Sequence, residues 1–181
     1  KKKLLDLLLI VVFLPILVIG VFLLTNTYRL LSSYHRDLLR SDNLRVKTIL
    51  FEITTQIYKL SEELVFDEEI ATFASTHHYV WDFEVKRAEK VKSIDSYEKT
   101  YAEIDSIEVY TDNPAFMDYK QFHHADKRTR KTEWFSKAVN QTSVFWMPMS
   151  RTDGHGNVYW NLCLIRKIPL INSKHNAVLV I

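Results

Sequence analysis

Hydrophobic residues occupy the beginning of the chain almost without interruption. After three lysines, residues 7–24 are all apolar, glycine or proline. A helix over this run is about 27 Å long at about 1.5 Å of rise per residue, close to the thickness of bilayer hydrocarbon. Such a helix satisfies its own backbone hydrogen bonds in lipid, so Pro15 and Gly20 are tolerated within it. The pattern predicts a transmembrane helix.

The rival interpretation of this segment is a cleaved signal peptide, because the segment starts basic and continues apolar. Signal peptides have apolar regions of about 7–15 residues and end at a small-residue cleavage site. Here the run is longer, and no Ala-x-Ala pattern follows it. We therefore predict an uncleaved anchor over residues 1–25, with the basic N-terminus inside the cell and the chain after it outside.

A long helix is predicted after the anchor, because residues 28–66 contain neither proline nor glycine. Alternating spacings of four and three residues place six apolar residues on one face of this helix. They are Val46, Leu50, Ile53, Ile57, Leu60 and Leu64. The interpretation we favour is that this stripe packs on the sheet of its own domain, and the alternative is a dimer seam, since a heptad is also what a coiled coil needs.

A thinner apolar stripe lies nearer the membrane and consists of Leu31, Tyr34 and Leu38. It ends at the polar segment 41–43, which is either a break in the helix or the cap of a new one. We predict a helical stalk over residues 26–44 that forms a homodimer, and a domain outside the membrane over residues 45–181.

Within that domain, helical and strand patterns follow one another. Asp67 is predicted to cap a short helix, residues 81–102 to form a charge-rich helix, and Thr129 or Thr132 to open a helix that ends near Asn140. Alternating or continuous apolar residues predict four strands. These are residues 104–110, 144–149, 158–168 and 177–181, with turns at 112–114 and 153–157. The fold class is therefore α+β.

Composition and charge exclude several classes of function. The chain has 24 basic and 22 acidic residues, and without Lys1, Lys2, Lys3 and Asp6 the remainder is balanced, so no basic face for nucleic acid is expected. Cys163 is the only cysteine, which rules out an intrachain disulfide. Three glycines cannot build a phosphate-binding loop. We expect no cofactor.

Metal binding and catalysis are not predicted either. The histidine pairs at 77–78 and 123–124 are adjacent in sequence, so their side chains do not converge on one ion, and no zinc-type spacing occurs. No nucleophile or acid–base constellation stands out, and Cys163 alternates with apolar neighbours as a core residue does. The chain itself is predicted not to be an enzyme.

The order of these elements resembles the extracytoplasmic Cache domain of bacterial receptors, and more specifically that of YesM-type sensor histidine kinases. The resemblance rests on a basic start, an apolar span, a long helix and a set of short motifs in order. The motifs are Ile-Asp-Ser-Ile-Glu-Val-Tyr at 104–110, Glu-Trp-Phe-Ser-Lys-Ala at 133–138, Trp-Met-Pro at 146–148, Leu-Ile-Arg-Lys-Ile at 164–168 and Ala-Val-Leu-Val-Ile at 177–181. It implies a PAS-like antiparallel sheet flanked by helices.

The resemblance also implies a function. YesM-type kinases continue into a smaller membrane-proximal module, a second span, a HAMP linker and a cytoplasmic kinase, and no such segments are present in this sequence. The last strand has no turn or cap after it, so we expect a piece of a longer kinase of the bacterial membrane that receives a small molecule or protein outside the cell. Alternatives are a chemotaxis receptor or diguanylate cyclase with the same sensor, and a membrane-anchored scaffold without signalling output.

Six residues are candidates for ligand binding: Tyr110, Trp134, Trp146, Arg166, Arg130 and Tyr119. Aromatic faces suit sugars and other small ligands, although core packing is the plainer role of the tryptophans. Arg166 lies on an otherwise apolar strand face and needs an internal carboxylate or a ligand as its partner. The amino-acid-binding subset of the resembled family has Arg and Tyr where this chain has Thr132 and Phe135, so amino-acid sensing is disfavoured.

Overall fold

The computed structural model describes residues 2–75, 81–141, 143–152 and 156–181, and side chains in all of these except 2–10 and 81–84. Its contacts divide the chain into two compact units, Lys1–Glu52 and Ile53–Ile181. The division falls eight residues into the range that we assigned to the sensor domain.

Helix α1 covers Lys2–Val65 and contains Pro15. It continues through residues 41–43, so the break or cap that we considered there does not form. These three side chains are exposed, where water satisfies them, and neither proline nor glycine forces the chain to leave the helix. The large apolar side chains between Val11 and Leu24 are 49–72% exposed, unlike those of a soluble core helix. This helix is long and apolar enough to cross a membrane.

The apolar stripe of α1 has two different environments along its length. Ile57, Leu60 and Leu64 are buried, with exposed fractions of 9%, 5% and 3%. Val46 and Leu50 are 54% and 57% exposed. The prediction that the stripe packs within its own domain is therefore confirmed for its last part and wrong for its first part, because the domain's core begins only near Ile53.

Three further helices follow, and two of them begin directly after a predicted cap residue. Helix α2 covers Glu68–Ser75 and α3 covers Trp81–Thr100. Asp67 caps α2 as predicted, since its Oδ1 accepts hydrogen bonds from the amides of Glu69 at 3.0 Å and Ile70 at 3.1 Å. Helix α4 covers Glu133–Asn140 after a 3-10 turn at Thr129–Lys131. Thr132 precedes it, but its hydroxyl donates to the Thr129 carbonyl at 2.6 Å and accepts no cap hydrogen bond from the helix amides.

Five strands form one sheet in the order β2-β1-β5-β4-β3. The strands are β1 (Glu108–Thr111), β2 (Phe122–His124), β3 (Phe145–Thr152), β4 (Val158–Ile168) and β5 (Ala177–Val180). The four predicted strands are present, and β2 was not predicted. Strand β5 lies between β1 and β4 and pairs antiparallel with both. Of the predicted turn at 153–157, residues 153–155 lie outside the described residues, as do His77 and His78.

The prediction of a wholly antiparallel sheet is wrong, because β1 and β2 are parallel. Residues 112–121 carry the chain back to the start of β1 before β2 begins. This connection is held from inside, since the side chains of Thr111 and Asn113 are buried and donate to the carbonyl of Ala74 at 3.0 and 3.3 Å. A hairpin would have reversed the strand instead. The sheet is therefore mixed.

The sheet has two faces, each with its own core. The α1 face packs against the end of α1 and against α2 and α3, and its sheet residues include Val109, Phe122, Leu164, Ile168 and Leu179. The α4 face packs against α4, with Cys163, Ile165, Val178 and Val180 beneath Trp134, Phe135 and Ala138. Side chains alternate between faces along each strand, so strand position decides which core a residue joins.

Candidate functional site

Two of the six candidate residues meet on the α4 face. The rings of Tyr110 and Trp134 have centroids 5.1 Å apart at an interplanar angle of 66°, an edge-to-face arrangement. His123 of β2 adds a third ring, 5.1 Å from Tyr110. Trp134 is 9% exposed and thus mainly a core residue, whereas Tyr110 and His123 are half-buried.

A charged pair joins this aromatic group. Arg151 of β3 donates from Nη1 to Oε1 of Glu108 at 2.6 Å and from Nη2 to Oε2 at 3.0 Å, a two-pronged arrangement. The hydroxyl of Tyr110 donates to Oε2 of Glu108 at 2.8 Å. The side chains of Arg151 and Glu108 are only 23% and 14% exposed. We call Glu108, Tyr110, His123, Trp134 and Arg151 the α4-face cluster.

The electrostatics of the cluster follow from burial and from this pairing. Burial alone would raise the pKa of Glu108, but the hydrogen bonds from Arg151 and Tyr110 outweigh it and hold the pKa below its ordinary value. Burial and the Glu108 carboxylate raise the pKa of Tyr110, and the hydrogen bond to Glu108 raises that of Arg151. At neutral pH, the pair is therefore ionised and the phenol is protonated.

The Glu108–Arg151 pair keeps one protonation state near neutral pH. The pKa of Glu108 is lowered and that of Arg151 is raised, so neither group acts as an acid or base at neutral pH. Burial raises the pKa of the Cys163 thiol, which is 2% exposed, and an inaccessible protonated thiol is a poor nucleophile. Among the side chains that the structure describes, no group of three His, Cys, Asp or Glu could hold a metal ion.

Three other candidates lie away from this cluster, on the α1 face. Trp146 is partly buried against that core. Tyr119 also packs there, with the guanidinium of Arg87 4.7 Å from the centre of its ring. Arg166 contacts the end of α1, with Nη2 3.7 Å from Oε1 of Glu62. Its partner is thus an internal carboxylate, one of the two possibilities that the sequence left open.

The last candidate, Arg130, is exposed in the 3-10 turn before α4. Its Nε donates to the carbonyl of Asp126 at 3.4 Å, a local contact within the same loop. The structure therefore brings together only Tyr110 and Trp134 of the six predicted residues.

Three members of the α4-face cluster were missed by sequence reasoning. One signal was available for Glu108, since residues two apart on a strand share a face and Tyr110 was already a candidate. No sequence signal connects Glu108 with Arg151, which is 43 residues later and two strands beyond β5 in the sheet order. His123 was considered only with His124 as a metal pair, because β2, which places it beside Tyr110, was not predicted.

A second surface feature lies on the α1 face, where part of strand β4 is exposed to solvent. Val158, Trp160 and Leu162 alternate along β4 with exposed fractions of 65%, 70% and 62%. Their cross-strand partners on β3 are Thr152, Ser150 and Pro148, which are also exposed. We call these three β4 residues the apolar β4 strip.

Comparisons with known proteins give no neighbour for this chain. No protein-family model matches it, and no curated protein or solved structure matches it.

Proposed function

We propose that this chain is the input region of a bacterial membrane sensor histidine kinase, in which a Cache-type, PAS-like domain outside the cell receives a signal and passes it through a membrane helix. The observation that carries the proposal is the course of α1, which begins as an apolar segment able to span a membrane and ends as part of the α+β domain's core. A change in the conformation of the sheet can thus be passed to the membrane segment through one helix.

The α4-face cluster is the proposed ligand site. Its aromatic rings offer flat surfaces, and the Glu108–Arg151 pair offers charged hydrogen-bonding groups at the edge of those surfaces. Pockets for small ligands combine these two kinds of group, apolar walls and a few polar anchors. A ligand that binds one arrangement of the domain more tightly than another shifts the population toward it.

The site is tested by a thermal-shift screen of the purified chain in detergent with a panel of sugars, organic acids and amines. We expect at least one compound to raise the melting temperature of the parent and not of Tyr110→Ala. Ser150→Ala, on the other face of the sheet, is the matched control and should keep the response. A panel that stabilises the parent and Tyr110→Ala equally would remove the cluster from the site.

The kinase parent is tested by the intact mass of the native protein purified from its own membrane. A mass well above the 21.4 kDa of this chain, with peptides of a kinase domain, is the expected result. Peptides of a methyl-accepting signalling domain or a cyclase domain would instead assign the sensor to a chemotaxis receptor or a diguanylate cyclase. A native mass equal to that of these residues would argue against any output domain.

A membrane-anchored scaffold is the second candidate function, and the apolar β4 strip favours it. Three large apolar side chains exposed on one strand face are typical of a protein-binding surface. In cells, a phenotype that is lost with Trp160→Ser and kept with Tyr110→Ala would support the scaffold. The opposite result would support ligand sensing.

A further inference from the structure

Arg166 lies at the interface between the sheet and the end of α1. It sits on β4 between Leu164 and Ile168, both fully buried, and its own side chain is 14% exposed. A guanidinium so far removed from water needs polar or aromatic partners.

Its partners all come from one helix face. The guanidinium lies 5.4 Å from the ring centre of Tyr58 and 5.8 Å from that of Phe66. Between these rings, Nη1 donates to Oγ of Ser61 at 3.4 Å and Nη2 lies 3.7 Å from Oε1 of Glu62. Tyr58, Glu62 and Phe66 are spaced four residues apart, which is about 6 Å along a helix axis. Phe66 follows the last residue of α1, and its amide still donates to the carbonyl of Glu62 at 3.2 Å.

The rest of this interface is apolar and repeats once per turn. Ile53, Ile57, Leu60 and Leu64 present similar side chains at successive turns of α1. Hydrophobic burial is non-directional, so a displacement of α1 by one turn toward its C-terminal end would put an apolar residue of the preceding turn, beginning with Leu50, in each of these four places. The guanidinium has no such equivalence, because only one of its four partners, Glu62, is a carboxylate.

We propose that Arg166 is a positioning residue that fixes the axial position of α1 on the sheet. In the observed position, its charge faces Ser61 and Glu62. After a displacement of one turn toward the C-terminal end of α1, it faces the ring of Tyr58 and keeps a favourable partner, so the displaced position remains accessible. Arg166 therefore selects among positions that the apolar contacts leave similar. Its use in signalling rests on the proposed function, whereas the positioning itself does not.

The test measures α1 against the sheet in the full chain, in detergent, without any ligand. Spin labels are placed on cysteines at Lys59 of α1 and Ser150 of β3, both exposed, in a Cys163→Ala background. The parent should give one main distance and a minor population displaced by about 5 Å, one helical turn. Arg166→Met should enlarge that minor population. Since Glu62 is 51% exposed, we expect the displaced fraction to rise by about two- to fivefold.

Matched variants make the result specific. Lys167→Met removes the neighbouring cation of β4, whose Nζ donates to the Val139 carbonyl at 2.9 Å on the α4 face, and should leave the distribution unchanged. Glu62→Gln should shift it in the same direction as Arg166→Met but less, and Arg166→Lys should restore the parent distribution in part. These two milder changes also serve if Arg166→Met does not fold.

An Arg166→Met distribution that superimposes on that of the parent would overturn the proposal, and so would an equal shift in Lys167→Met. Failure of the proposed function looks different, because it would leave the ligand-free result intact while no compound moves α1.

Discussion

At the scale of single residues, the Glu108–Arg151 pair is a largely buried, two-pronged ion pair of the α4 face. Both side chains are mostly buried, so the contact is screened less than a surface ion pair. Two parallel hydrogen bonds add geometric precision to the charge attraction. The pair also joins β1 to β3 across the sheet, so its loss affects both the cluster and the attachment of the β3–β4 hairpin.

Arg151→Met should destabilise the domain by about 1–3 kcal/mol, because it leaves a largely buried carboxylate without its main partner. Denaturant unfolding of the full chain in detergent measures this loss. Arg130→Met, at an exposed arginine with a local contact, is the control and should change the free energy of unfolding by less than about 0.5 kcal/mol. Equal losses in the two variants would contradict the assignment.

The same pair predicts an acid dependence of stability. The pKa of Glu108 in the folded protein lies below its ordinary value of 4.5, so the folded state binds fewer protons than the unfolded state near that pH. The stabilisation is complete above about pH 4.5 and is lost as the pH falls through the lower folded pKa. Glu108→Gln should therefore flatten the decrease in unfolding free energy below pH 4.5, whereas Glu103→Gln, at an exposed position, should retain it.

Asp67 provides a prediction for a helix cap. Its carboxylate caps α2 and also lies 2.6 Å from Nζ of Lys90. Asp67→Ala should cost about 1 kcal/mol of unfolding free energy through loss of the cap. Asp67→Asn retains the oxygen that accepts the amide hydrogen bonds and should cost less. An equal loss in the two variants would show that the charge, and not the cap, dominates.

At the scale of elements, periodicity located the helices and most strands but could not say what they pack against. The stripe from Val46 to Leu64 has the same spacing throughout, yet only its last part is buried. Burial depends on which part of the helix the sheet packs against, and the spacing of apolar residues within the helix does not contain that information. Strand β2 has three residues and no alternation, and it exists because residues 112–121 place it beside β1.

The faces of the sheet show the same limit. Sequence reasoning correctly grouped Leu162, Leu164 and Arg166 on one face of β4, because side chains alternate along a strand. It could not tell that Trp146 and Tyr110 lie on opposite faces, since a shift of one residue in register exchanges the two. Two of the six site candidates therefore came together, and the others were separated by register and by loop geometry.

The divided stripe of α1 predicts unequal effects of equal substitutions. Leu64→Ala, at a residue that is 3% exposed, should cost about 2–5 kcal/mol through lost burial and a cavity. Val46→Ala, at a residue that is 54% exposed, should change the free energy of unfolding by less than about 0.5 kcal/mol. Denaturant titrations of both variants in the same detergent decide this. A large loss of unfolding free energy for Val46→Ala in dilute monomer would contradict this prediction, because it would mean that Val46 is buried in a core.

At the scale of the whole molecule, the exposed stripe nearer the membrane bears on assembly. Leu31, Tyr34 and Leu38 are 53%, 63% and 46% exposed on one face of α1. Our proposal of a homodimer through the stalk and the membrane helix gives this face a partner in a second copy.

In membranes, and in a Cys163→Ala background, cysteines at 31, 34 and 38 should crosslink between chains within minutes of mild oxidation. A cysteine at Arg36, about half a turn away from this stripe, should crosslink at least about fivefold more slowly because it faces away from the seam. No crosslinking at any of the three positions, or equal rates at all four, would rule out this seam.

The central position of β5 has a consequence for how the domain is made. Its residues come after all the other strands in the chain, and Val180 pairs with Glu108 and with Ile165. While the chain is being made, β1–β2 and β3–β4 therefore form as two separate pairs with open inner edges, which are prone to pair wrongly. Sheet completion has to wait for Ala177–Val180, and contacts over such long sequence separations form slowly. The nascent domain thus exposes these inner edges for longer than its size alone would require.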